Sequence, residues 1–209
     1  MRPSTLLLLA NVGAFFLTVG PGLTIRPDVV HEFGLSLPNL ERNPLCLITY
    51  MFLHANLLHL AMNMLGLVTF GRALEEILSR FEWYLVYFAS GVAGGLLQIA
   101  FTPFEPVVGA SAAIFGLIGC MTMLRPLSIM FFFLIPVPLA LFAVLYTLFV
   151  VLLVKWGLVT NVAHVGHLGG MGTGAMLALV MRPMMALRGL AVVAVMAALV
   201  WLVLKFVHP

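Results

Sequence analysis

The sequence predicts an all-α fold, a polytopic bundle of membrane helices, on three observations. Of its 209 residues 63% are hydrophobic and only 8% charged, against about 25% charged in a soluble domain. The apolar residues gather into seven runs, most of them near the 20 or so helical residues that cross a hydrocarbon core. Inside those runs, polar side chains fall at a few positions only.

The runs cover residues 4–20, 47–70, 82–103, 109–124, 134–155, 162–181 and 187–207. The first follows only Met-Arg-Pro-Ser-Thr and carries no small-residue cleavage site, so it reads as a retained span and not as a signal peptide. Residues 21–46 hold four prolines, Gly22, Gly34 and mixed charges. Too polar to span, this segment is expected as a long outer loop lying on the membrane surface. The fourth run is short and must be buried among its neighbours. After it, Arg125-Pro126 and the prolines at 136 and 138 break helical continuity, since proline removes a donor and restricts the residue before it. A loop or a bent approach to the fifth span belongs there. The seventh run is joined to the sixth by a short turn, so residues 1–209 read as one domain.

With the N-terminus inside, the inner ends carry Arg2, Arg72, Arg80, Arg125, Arg182 and Arg188, and the outer ones Arg26, Arg42, Lys155 and Lys205. That asymmetry follows the positive-inside rule, and a bacterial-type inner membrane with a cytoplasmic N-terminus is the expected setting. The net charge of +3 is scattered, which leaves nucleic acid no basic patch to bind. Cys46 and Cys120 lack CxxC spacing and read as packed thiols. The methionines read as adaptable packing, and no cofactor is implied.

Polar groups inside a membrane are costly unless paired, so each is a functional candidate. The second run has His54, Asn56, His59 and Asn63, the fourth Ser111, the sixth His164 and His167. Asn56, His59 and Asn63 are spaced to form one helical stripe, with His54 about 140° round from His59. In the expected topology these three runs point the same way, with polar residues toward their N-terminal ends. The groups therefore converge at one depth below the outer surface.

Two rows of small residues predict contact between the fourth and sixth helices: Ala112, Gly116, Cys120 and Gly166, Gly170, Gly174. Such contact brings Ser111 within reach of His167, the relation a Ser-His pair needs. Other chemistries lack their residues. No H-E-x-x-H metal motif occurs, Asp28 is the one aspartate, and every glutamate lies at a span end or in a loop. What remains is a dyad, with Ser111 as nucleophile, His167 as base and no metal. Phe115, one turn from Ser111, can stack on the imidazole, and His59 and Asn63 can donate to an oxyanion together with a backbone N–H. Taken singly, each of these residues has a packing explanation; their joint depth and spacing argue for the site.

These residues resemble the rhomboid intramembrane serine proteases over about residues 45–178. T-Y-M-F-L-H-A-N-L-L-H-L-A-M-N-M (49–64) is similar to that family's second-helix motif, G-A-S-A-A-I-F-G (109–116) to its G-x-S-G nucleophile motif, and A-H-V-G-H-L-G-G-M-G-T-G (163–174) to its H-x-x-G-x-x-x-G motif. Glycines three and seven places after His167, Gly170 and Gly174, make His167 and not His164 the matching base. The resemblance implies a six-helix core, about 4–182, with one added C-terminal helix, and implies Ser111 as nucleophile with His59 and Asn63 at the oxyanion. It further implies a structural glutamate at Glu75 and a loop-holding His54. Substrates would be single-pass transmembrane proteins, met in the lipid bilayer and cut in or near their transmembrane segment; oligomeric state is not indicated. The chain departs from the pattern at Ala112, where glycine is usual, at Leu45-Cys46, where Trp-Arg is frequent, and at Phe115, where tyrosine is common. Two other readings compete: an inactive rhomboid-like protein that binds transmembrane helices, and a haem protein ligated by histidines of the second and sixth spans.

Overall fold

The structure, a computed structural model, describes residues 1–132, 135–158 and 163–207. Helix α1 (Pro3–Thr18) opens with proline at its first position, where the missing N–H costs nothing. It buries Ser4, Leu7, Asn11 and Phe15, one face at helical spacing, chiefly against the second long helix.

The outer loop is folded. It contains a 3₁₀ turn at Pro21–Leu23 and helices α2 (Pro27–Phe33), α3 (Leu37–Arg42) and α4 (Cys46–Thr49), followed by a second 3₁₀ turn at Tyr50–Phe52. Its fully buried Leu35 exchanges two backbone hydrogen bonds with Val107, each 2.9 Å. The loop is thereby fastened to the segment that leads into the fourth apolar run.

The second run, expected as a helix over 47–70, is broken in the structure. After the 3₁₀ turn the chain extends, Leu53 having φ −93 and ψ 141, and helix α5 spans Leu57–Glu75. Asn56 is its N-cap, the side-chain oxygen accepting the His59 N–H at 2.9 Å. A capping residue adopts extended geometry, so Asn56 precedes the helical stripe and does not belong to it, and His54 lies off the helix altogether.

Helix α6 (Arg80–Phe101) starts on a capping box formed by Ser79 and Glu82. Helix α7 (Ser111–Leu124) is short, and twelve of its fourteen residues are buried. It occupies the centre, packed on α5, α6 and α9. The expected loop after it is in part a hairpin, with β1 (Ile129–Phe132) antiparallel to β2 (Ile135–Pro138) and Ile129 opposite Pro138. Helices α8 (Leu139–Lys155), α9 (His164–Met181) and α10 (Pro183–Val207) complete the chain. The expected starts of the fifth and sixth runs, residues 134 and 162, lie outside the described residues.

By length and composition α5, α6 and most of α10 can each cross a membrane, while α1, α7 and α8 are shorter apolar helices. Arg182 joins α9 to α10 and reaches back to the start of α6, donating to Glu82 at 2.6 and 3.0 Å. The α7–α9 contact is backbone on backbone: Gly170 lies against the Ala112 carbonyl and Gly174 against that of Gly116, with no room for a methyl group at either glycine. Gly166 faces away from α7, toward Gly94 and Gln98 of α6.

Candidate active site

Ser111 is the first residue of α7, so its N–H has no acceptor within the helix. Two residues earlier Gly109 has φ +125, a conformation that L side chains rarely adopt. A Cβ at Gly109 would also stand 2.9 Å from Cε1 and Nε2 of His59 and 3.8 Å from Ser111 Oγ. Glycine here lets the backbone turn into α7 and brings the His59 ring beside the serine.

Across the α7–α9 contact, Oγ of Ser111 is 2.7 Å from Nε2 of His167. Phe115 lies on the same imidazole, centroids 4.5 Å apart and planes 3° from parallel. The first turn of α9 is held from α6, where the Gln98 side-chain oxygen accepts the Gly166 N–H at 2.9 Å. Gln98 was not singled out in the sequence, although a glutamine within an apolar run was signal enough.

Helix α5 carries the two residues expected as oxyanion donors, His59 and Asn63. The Ala55 N–H donates to Nδ1 of His59 at 3.2 Å. An N–H can only donate, so in the neutral ring the proton stands on Nε2, the nitrogen beside Gly109. Asn63 uses one amide hydrogen on the His59 carbonyl at 2.9 Å. Its second amide hydrogen is available to another acceptor.

The ring of His54 is fully buried and meets His59 edge to face at 5.2 Å. Its nitrogens make no hydrogen bond to the outer loop, so any hold it has on that loop comes through packing. Glu75 lies at the far end of α5, accepting the Ser4 N–H at 2.7 Å with Arg2 3.9 Å away. It ties the start of α1 to the end of α5, away from Ser111.

Besides Gln98, a second polar residue at the site escaped the sequence reading, which credited only three runs with polar groups. Tyr146 of α8 places its hydroxyl 2.9 Å from Nδ1 of His167 and 3.3 Å from Nδ1 of His164. The signal was a phenol inside a predominantly apolar run, where a buried hydroxyl needs a partner.

Comparison with known proteins bears on this arrangement. A family model described as the rhomboid domain matches residues 41–184. The putative rhomboid protease YdcA of Bacillus subtilis is 36% identical over 115 residues, covering 54% of this chain and 57% of the relative. RHOMBOID-like protein 6, mitochondrial, of Arabidopsis thaliana is 43% identical over 75 residues, 36% of this chain and 24% of the relative. A third relative from the same plant, inactive RHOMBOID-like protein 8, is 34% identical over 93 residues, 44% of this chain and 26% of the relative. The chain thus spans less than two thirds of each. Since the matched domain takes in most of the chain and all of the residues gathered around Ser111, this protein belongs to the rhomboid family.

Proposed function

We propose that this chain is an intramembrane serine endopeptidase that hydrolyses peptide bonds in or near transmembrane segments of single-pass membrane proteins, through a dyad of Ser111 and His167. The observation that carries the reading is the 2.7 Å contact between their Oγ and Nε2 under the Phe115 ring.

In this mechanism Ser111 passes its proton to Nε2 of His167 as its oxygen attacks the substrate carbonyl. General-base help of this kind is worth about 10²–10⁴-fold. Negative charge then develops on the carbonyl oxygen. The Nε2–H of His59, the Asn63 amide and the Ser111 N–H at the positive end of α7 are the donors that receive it. Collapse of the tetrahedral species breaks the C–N bond, and the His167 imidazolium gives its proton to the leaving amine. Water deprotonated by His167 then frees the acyl group from Ser111.

The proposal extends to setting and extent. Residues 1–209 form one membrane domain, a core of about 4–182 with a helix at 187–207 added. The setting is a bacterial-type inner membrane with the N-terminus cytoplasmic, and the distribution of arginines supports that orientation. Likeness to a relative named inactive supports a second reading, a protein that binds transmembrane helices without cutting them.

One experiment separates the two. The purified protein is treated with a fluorophosphonate and given a transmembrane substrate peptide. The protease labels at Ser111 and cleaves, and Ser111→Ala and His167→Ala abolish cleavage while keeping the wild-type melting temperature. Undiminished cleavage by Ser111→Ala, or a wild type that neither labels nor cleaves, overturns the protease reading.

A further inference from the structure

The Tyr146 hydroxyl carries one proton, yet it lies within hydrogen-bond distance of two imidazole nitrogens, Nδ1 of His167 at 2.9 Å and Nδ1 of His164 at 3.3 Å. It can donate to only one of them. The other nitrogen must carry a proton and donate to the phenol oxygen. Since Ser111 Oγ stands on the far side of His167, four groups from α7, α8 and α9 form one chain, and a chain of this kind has two polarities.

In the first polarity, the Ser111 O–H donates to Nε2 of His167, Nδ1–H of His167 donates to the Tyr146 oxygen, and the Tyr146 O–H donates to Nδ1 of His164. In the second every bond reverses. His164 donates to Tyr146, Tyr146 donates to Nδ1 of His167, and Nε2–H of His167 donates to Ser111. That second state leaves His167 with no lone pair toward the serine and unable to take its proton. The tautomer of a histidine is set by the bond its other nitrogen makes. Each polarity protonates one imidazole on Nδ1 and the other on Nε2, so the intrinsic preference of imidazole cancels between them. The first polarity is the one in which Nε2 of His167 can take the serine proton, and there the His164 ring, edge-on to Phe149 at 5.4 Å and to His167 at 6.0 Å, offers Nδ1 as the final acceptor.

We infer that Tyr146 and His164 are positioning residues that hold His167 in its Nδ1-protonated tautomer, filling through a phenol and a second imidazole the place that a carboxylate takes in a Ser-His-Asp triad. The inference rests on the protease reading, which requires Nε2 of His167 to accept from Ser111. A triad that loses its carboxylate falls into the wrong tautomer and slows by about 10⁴-fold. A neutral phenol orients the ring without adding charge, so its removal is expected to cost less, about 10- to 100-fold.

The test uses the full-length protein in bilayers. Tyr146→Phe keeps the ring packed on Phe115, 4.8 Å between centroids, and removes only the hydroxyl. It is expected to lower kcat about 10- to 100-fold with KM and melting temperature unchanged. His164→Phe is expected to do the same. His164→Asn, whose side-chain oxygen can stand where Nδ1 stood, restores much of the rate. In ¹⁵N spectra of histidine-labelled protein, with the His167 signals assigned by their loss in His167→Gln, the wild type shows Nδ1 protonated, and Tyr146→Phe moves population to Nε2. A His167 tautomer that is the same in wild type and Tyr146→Phe, or is Nε2-protonated in the wild type, overturns the inference. If fluorophosphonate fails to label Ser111 in the wild type, the protease reading fails separately, and the ¹⁵N signals still decide the tautomer.

Discussion

Ser111 Oγ and His167 Nε2 are 2.7 Å apart although 56 positions separate them in the chain. The distance is set by backbone contact between their helices and the angle by Phe115, whose ring lies parallel to the imidazole. Phe115→Ala is therefore expected to lower kcat roughly two- to tenfold, the worth of one aromatic pair. Phe115→Tyr keeps the stack and should stay close to wild type. Equal rates for the alanine and tyrosine variants would show that the ring needs no such support.

His59 and Asn63 should differ as oxyanion donors. His59 presents Nε2–H beside Gly109, whereas Asn63 spends one of its two amide hydrogens on the His59 carbonyl. His59→Ala is expected to cost about 10²–10³ in kcat, the measured scale for losing one donor, and Asn63→Ala less than that. Steady-state kinetics on a transmembrane peptide reads both. If both variants keep the wild-type kcat, neither residue stabilises the transition state.

Asn56 caps the turn that carries His59. Asn56→Ala removes the acceptor for the His59 N–H and should destabilise the protein by about 1 kcal/mol, while Asn56→Asp and Asn56→Ser keep the cap. Denaturation of the three variants in mild detergent checks the order. A result with alanine level with aspartate would contradict the capping role.

Glycines on α9 offer an internal control. A methyl group on Gly174 would press into the Gly116 carbonyl, whereas one on Gly172 meets nothing within 4 Å. Gly174→Ala is expected to cost about 1–3 kcal/mol, the usual penalty for overpacking. Gly172→Ala should leave the melting temperature where it was. Matching melting temperatures for the two would mean that α7 and α9 separate without cost.

Much of the bundle was legible because helix-forming runs and small-residue spacing are local properties. The register of Ser111, Phe115 and His167 follows from 3.6 residues per turn, and so does the meeting of Ala112 and Gly116 with Gly170 and Gly174. The start of α5 was not legible in the same way. From Ile48 to Leu60 the chain holds no proline or glycine to mark a break, and the one at Leu53–Asn56 is set by a cap and by bonds to a distant loop, including the bridge between Thr24 and Asn56. Tyr146 was hidden for another reason. Its phenol reads as one more aromatic group until α8 is laid beside α9, and that placement depends on the hairpin of β1 and β2, whose Pro-rich second strand suggested only an irregular turn.

The brevity of α7 has a consequence for where a substrate of the proposed protease would be cut. Fourteen residues rise about 21 Å, some 9 Å less than a hydrocarbon core of about 30 Å. Its last residue adjoins Arg125, which pairs with Glu76 at 3.5 Å and marks the charged end. With that end at the lipid boundary, the shortfall falls wholly on the Ser111 side. On the protease reading proposed above the helix would act as a ruler: the scissile bond would lie about six residues inside a substrate span, and lengthening α7 by one turn would move the cut outward by about 5.4 Å.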